Sequence, residues 1–324
     1  MIMTYRLTTI ILPFLLLVGC SGQDEFENRN FTNAKYLEGV SNEISNDVLN
    51  PFDIVVEDNI YVVDNGDQKV KSFSKSGVYK GSIGRGKGSG PGEVVQVGEF
   101  DIHKDTLWIA DMMGRKVVSY NKEGDYIDEF KTDHPVNKLK VFEKSIVARD
   151  VGVKSMLVEY DKKGKVIKKY GKNLYNNPMD EVGHIFIGGS KKDDLLYLMQ
   201  YTNIVLGMQN NRMSKLDTLM NNVSSSEKED SGPGEEKENM KRFSQPDPKT
   251  EHYDSNVYNE RFFILTKKEV HDSAKNDGVS LLDVYDNNFN YITTYKLHDK
   301  TKKAFVANGC IYSITESNVR VYDI

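Results

Sequence analysis

Cysteine is nearly missing from this chain of 324 residues: Cys20 and Cys310 are the only two. Cys20 closes an apolar leader, which leaves Cys310 alone. No disulfide within the fold is expected, and stability has to come from a buried core. About 300 residues beyond the leader suffice for a large one. Long apolar runs are missing as well. Beyond residue 19 the chain is polar, and its mean hydropathy is −0.54, so no spanning helix is expected in the mature part. A basic excess is missing too. The net charge is −5, and −6 once Arg6 leaves with the leader; a nucleic-acid binder would want a basic face. The six histidines (His103, His134, His184, His252, His271 and His298) do not pair at zinc-ligand spacing. No Ser–His–Asp or Cys–His arrangement can be assembled from spacing. No catalytic residue, metal ligand or cofactor is therefore assigned.

What is present begins with an export signal. Arg6 supplies the positive end, and Leu7 to Val18 form an apolar stretch too short for a permanent span. The run Leu17-Val18-Gly19-Cys20 follows it and resembles the lipobox of bacterial lipoproteins. That resemblance implies diacylglyceryl transfer to the Cys20 thiol and cleavage before it; the alternative is an ordinary signal peptide carrying a cysteine. Residues 1–19 are read as signal peptide and 20–29 as a lipidated tether. The membrane is then a partner reached through lipid. Ser21 departs from the Asp of inner-membrane retention signals. Asp24, Glu25 and Glu27 resemble signals that send some lipoproteins to the cell surface, although a solvated tether would look the same. The expected location is the outer membrane, lipid-anchored, on its periplasmic side or at the surface.

The rest of the chain repeats itself. Short apolar runs place a large residue second: Ile60-Tyr61-Val62-Val63-Asp64, Leu107-Trp108-Ile109-Ala110-Asp111 and Ser145-Ile146-Val147-Ala148-Arg149. Three more follow at Leu196-Tyr197-Leu198, Phe262-Phe263-Ile264 and Ile311-Tyr312-Ser313. A period of about 40–50 residues with β-rich composition indicates propeller blades of four strands. Polar turns punctuate the copies: Phe73 to Gly77, Tyr120 to Gly124 and Tyr160 to Gly164 end in glycine, which suits a positive φ. Tyr285 to Asn288 is a looser copy, with Asn288 in the tolerated left-handed role. The last copy stops at its third strand, Val319 to Ile324. Asn30 to Leu37 reads as a spare strand that would complete it and remove an open edge. The expected fold is all-β, a six-bladed β-propeller over residues 30–324, its last blade closed by an N-terminal strand.

The run Tyr61 to Val70 is similar to the NHL repeat core. Ser82 to Glu93, with its Gly90-Pro91-Gly92-Glu93, resembles the loop after the first blade of TolB-like propeller lipoproteins of Gram-negative bacteria. These resemblances imply fold and envelope location, and little chemistry.

Alternating strand direction puts the second-to-third turns and the blade-to-blade loops on one face, called the top. Insertions at 223–249 and 267–277 would lie there, which marks it as the expected binding face. Arg85, Lys87, Arg115, Lys116, Arg149 and Lys154 would form a basic arc on it, suited to an anionic partner. Asp64 and Asp111 share one place in two blades. They read as turn caps, or as part of a tunnel metal ring, although Arg149, Gln200, Thr266 and Thr315 stand at the matching places. Gly81 to Gly88 nearly spells a phosphate loop but lacks its Ser or Thr. Cys310 and Trp108 read as core. The expected function is binding or scaffolding of a protein, peptide or glycan by the top face. The alternative is a propeller hydrolase or lyase with a metal in the central tunnel.

Overall fold

The computed structural model describes residues 29–36, 43–44, 47–151, 155–171, 183–187, 195–199, 204–209, 212–219, 252–270 and 279–324. Cys20, Lys154 and the 223–249 insertion lie outside the described residues, as does 271–277 of the second insertion.

Among the described residues every element is a strand. Three short pieces come first: β1 (Phe31–Asn33), β2 (Lys35–Tyr36) and β3 (Glu43–Ile44). Blade one is β4 (Pro51–Val56), β5 (Ile60–Asp64), β6 (Lys69–Phe73) and β7 (Tyr79–Ile83). Blade two is β8 (Val97–His103), β9 (Thr106–Asp111), β10 (Lys116–Asn121) and β11 (Tyr126–Lys131). Blade three is β12 (Val136–Val141), β13 (Ser145–Asp150), β14 (Leu157–Asp161) and β15 (Val166–Tyr170). Blade four is β16 (Gly183–Ile187), β17 (Leu195–Met199), β18 (Ile204–Gln209) and β19 (Arg212–Thr218). Blade five is β20 (His252–Tyr258), β21 (Arg261–Val270), β22 (Val279–Tyr285) and β23 (Tyr291–Leu297). Blade six keeps β24 (Lys303–Ala307), β25 (Cys310–Ile314) and β26 (Val319–Asp323).

Second strands are apolar throughout because both their faces are covered: Ile60, Tyr61, Val62 and Val63 are all at most 1% exposed. One face packs on the preceding blade and the other on the next. Six apolar clusters result, one at each junction between neighbours. The junction of Tyr312, Ile314, Val319 and Val321 with Ile54, Ile60 and Val62 joins blade six to blade one and closes the ring. Trp108 lies in the junction of blades two and three, and Cys310 in the closing one.

Because strands buried on both faces do not alternate, the repeat register slips in two blades. Val141 pairs with Ile146, as Ile102 pairs with Leu107 and Val56 with Ile60. The counterpart of Tyr61 and Trp108 is therefore Val147, not Ile146. In blade four, Tyr197 faces back onto blade three and Leu196 faces forward onto blade five, so Leu196 takes that place. The residue matching Asp64 and Asp111 is then Asp150 rather than Arg149.

Closure at the last blade is made in two pieces. β2 pairs with β26 through Lys35–Asp323 and Tyr36–Tyr322, and β3 pairs with it through Glu43–Arg320 and Ile44–Val319. β1 goes elsewhere: it adds a parallel fifth strand to blade five, against Thr294 to Lys296 of β23. The positive-φ residue of the blade-five hairpin is Phe289 (φ 63°), not Asn288. Its ring stacks on Phe262 at 4.8 Å, which offsets the conformational cost of a side chain there.

Candidate functional site on the propeller axis

Inner strands are where a propeller can gather side chains from all its blades. Here β4, β8, β12, β16, β20 and β24 contact one another in that order, and β24 returns to β4. Asp53 pairs with Val63, Lys138 with Arg149, Asp254 with Leu265 and Lys303 with Ile314. These are one register position repeated. Glu99 takes it in blade two, beside the bulge before Phe100, and His184, opposite Leu198, holds it in blade four. One layer of the axis is therefore built from ionisable residue types.

Lys303 is its hub. Its Nζ lies 2.5 Å from Glu99 and 3.5 Å from both Asp53 and Asp254. Glu99 also pairs with Lys138. One network thus ties blades one, two, three, five and six, and these five side chains are no more than 15% exposed. A second pair, Lys140 to Asp101 at 2.7 Å, sits two residues further along the same strands. The carboxylates also accept backbone N–H groups from the next blade: Phe100 to Asp53 at 3.2 Å, Val141 to Asp101 at 2.8 Å and Ala304 to Asp254 at 3.1 Å. Asn256 exchanges two such bonds with Val306. At the junctions of blades one and two, two and three, and five and six, the inner strands are stitched together by a polar side chain.

Burial dominates the ionisation here. It pushes the Asp53 carboxyl up to about 6, with Lys303 opposing and Glu99 and Asp254 adding. It raises Asp254 as well, again against Lys303. Burial also disfavours the charged form of Lys303, but Asp254, Glu99 and Asp53 outweigh it and hold the ammonium well above the usual lysine range. Lys138 is lowered by burial and by Lys303, with Glu99 offsetting part. The Lys303 ammonium stands among three carboxylates as their shared counter-ion. The network therefore supplies its own cation and works as a clamp.

The top-face residues fall into two groups. Asp64 accepts N–H groups from Leu49, Asn50 and Gly66 at 2.8–2.9 Å. Asp111 does the same for Val95, Gln96 and Gly114 at 2.9–3.1 Å. Both are fully buried caps that tie the incoming blade loop to the second-to-third turn. Lys116 is buried on Glu129 at 2.9 Å and the Gly90 carbonyl at 3.0 Å, and Arg149 is buried too. Arg85, Lys87 and Arg115 remain exposed. Arg85 is held by the Pro91 carbonyl at 2.8 Å and by the Tyr126 ring. Gly92 of that loop has φ 75°, and a Cβ on it would press Tyr126 and Tyr120, which explains its glycine.

The axial cluster lies away from the ends of the second strands, where Asp64 and Asp111 stand. Its signal lies in the inner strands, where Glu99-Phe100-Asp101-Ile102 and Lys138-Leu139-Lys140-Val141 alternate charge with apolar residues.

Residues 53–318 match the DUF5128 family, described as a 6-bladed beta-propeller. Among solved structures, a protein described as exported, from Bacteroides fragilis, aligns with TM-score 0.60 and 11% identity over 90% of this chain and 93% of its own. Virginiamycin B lyase from Staphylococcus aureus aligns with TM-score 0.54 and 12% identity over 87% and 98%. A DUF4221 member from Bacteroides vulgatus gives 0.53 and 11% over 90% and 95%. None of the curated proteins compared matches the chain.

Proposed function

Taking as premise that the chain belongs to this six-bladed β-propeller family, we propose that it is a binding or scaffolding module of the cell envelope. In this reading it is lipid-anchored through Cys20 at the outer membrane and presents its top face to a protein, peptide or glycan. The observation that carries the reading is the state of the axis. Each described carboxylate there is met by a lysine and by backbone N–H or a second lysine. The groups left open to a ligand are on the loops, with Arg85, Lys87 and Arg115 exposed on neighbouring blades. Such an arrangement suits an anionic partner surface. The export leader, and the exported neighbour, support the envelope location. The metal-dependent lyase alternative placed its cation on Asp64 and Asp111, and both are taken up as caps by backbone N–H groups; a shared fold does not carry chemistry with it.

Charge reversal tests this. The triple change Arg85→Glu, Lys87→Glu and Arg115→Glu is expected to cut partner capture from solubilised membranes at least about tenfold. Reversal of Lys75, Lys163 and Lys165 on the opposite face should leave capture intact. Equal loss from both sets, or from neither, would reject the top face as the binding surface.

A further inference from the structure

We infer that the face opposite the proposed partner site docks on an anionic lipid surface, through the hairpin and outer strand of blade three. The inference rests on the envelope reading above and adds the orientation of the disc. Exposed apolar side chains lie around the third-to-fourth hairpins, at the end of the turn or in the first two places of the fourth strand. They are Val78 (64% exposed) and Tyr79 in blade one, Ile127 (51%) in blade two, and Val166 and Ile167 (53%) in blade three. The hairpins are equivalent: the N–H groups of Ser74, Asn121 and Asp161 donate to the carbonyls of Val78, Asp125 and Lys165. Scattered exposed apolar residues need no explanation; by strand pairing Val166 matches Tyr79 and Ile167 matches Ile127, and of these three blades only blade three exposes an apolar side chain at both places.

Charge points to the occupant. The stretch from Asp161 to Tyr170 holds five lysines and one aspartate in a protein of net charge −5. Lys165 and Lys169 are exposed around Val166 and Ile167, and the exposed Lys163 is paired with Asp128 of blade two at 2.6 Å. The Asp161 carboxylate is occupied by the N–H groups of Lys163 and Lys165. Lysines flanking exposed aliphatic residues match a bilayer surface with anionic headgroups, where the charges stay at the phosphates and the aliphatic groups sink below.

The chain path agrees. Asn30 is bonded to Tyr291, the first residue after the blade-five hairpin, and to Thr293 and Thr294. The described chain therefore starts on the hairpin side of the disc. Nine steps from Cys20 to Arg29 reach at most about 30 Å, so a lipid on Cys20 would bring that side to the membrane. The top face, with Arg85, Lys87 and Arg115, then points away from it.

The test uses the chain from residue 21 onward, which keeps every described residue and carries no lipid. Vesicle binding then reports the blade-three surface alone, while intact mass of the native protein reports lipidation at Cys20 separately. Co-sedimentation is measured with vesicles of phosphatidylcholine alone and with added phosphatidylglycerol. Binding is expected only with the anionic lipid, falling as salt is raised. The combined change Lys165→Glu, Lys169→Glu and Ile167→Asp should weaken it at least about tenfold with unchanged melting, since all three side chains are exposed. The top-face triple reversal should leave it unchanged. No binding to anionic vesicles, or equal loss from both variant sets, would overturn the inference. So would a dimer in sedimentation velocity that the blade-three variant dissociates, because it would assign this surface to a second copy of the chain.

Discussion

Lys303→Ala is expected to destabilise the propeller by about 3–5 kcal/mol, because it strands Asp53, Glu99 and Asp254 in the interior without their shared cation. For a domain of this size that lowers Tm by roughly 10 °C. The loss should depend on pH in a fixed direction. Burial already raises the Asp53 carboxyl to about 6 and raises Asp254, and removing the ammonium raises both further. A carboxyl raised in the folded state contributes stability below its unfolded pKa and loses it as pH rises through the folded value. The gap between variant and wild type should therefore be widest above pH about 6 and shrink toward the unfolded carboxylate range. A variant that melts like wild type at neutral pH would show the network to be solvated and worth little.

Arg29→Ala should have an effect of similar size through a different part of the fold. The Arg29 and Asp283 side chains are fully buried, with Nε donating to Oδ1 at 3.1 Å and Nη2 to Oδ2 at 2.9 Å. Thr294 donates a third bond to the same carboxylate at 2.5 Å. The pair fastens the N-terminal segment to blade five, just before that segment crosses to seal the edge of β26. Removing the guanidinium leaves a buried charge and frees the strap, at a cost of about 3–5 kcal/mol. Changing both partners, Arg29→Met with Asp283→Asn, should cost less than Arg29→Ala alone, because neither charge is then stranded. Hydrogen exchange should quicken first along β26. An Arg29→Ala protein with the parent's melting temperature would mean that closure does not depend on this bolt.

The architecture was legible because each blade repeats a signal that local chemistry enforces. Asp161 and Asn121 start polar turns, and Gly77, Gly124 and Gly164 all take positive φ. The expected closure by Asn30 to Leu37 holds only in part: Lys35 and Tyr36 pair with β26, while Phe31 to Asn33 pair with blade five. Register within blades three and four was not legible. Val147 and Leu196 sit in strands covered on both sides, so nothing in their sequence says which face is which. The path of β1 was hidden for a related reason: a three-residue strand has no pattern of its own, and the buried Arg29–Asp283 pair joins residues 254 apart in sequence. The top-face arc was half legible. Sequence marks Lys116 and Arg149 as basic, but only packing shows that Lys116 is occupied by Glu129. The axial network needed inner strands from five blades at one register, and that is a property of the closed ring.

The axial carboxylates Asp53, Glu99 and Asp254 take their counter-ions from Lys303 and Lys138, and we assign binding to the faces of the disc. The most direct measurement is the melting temperature of the mature wild-type protein in calcium and again in chelator. With the Lys303 ammonium already among the three carboxylates, the two melts should coincide. A melt raised by calcium and lowered again by chelator would show a bound cation linked to folding, and would contradict the account.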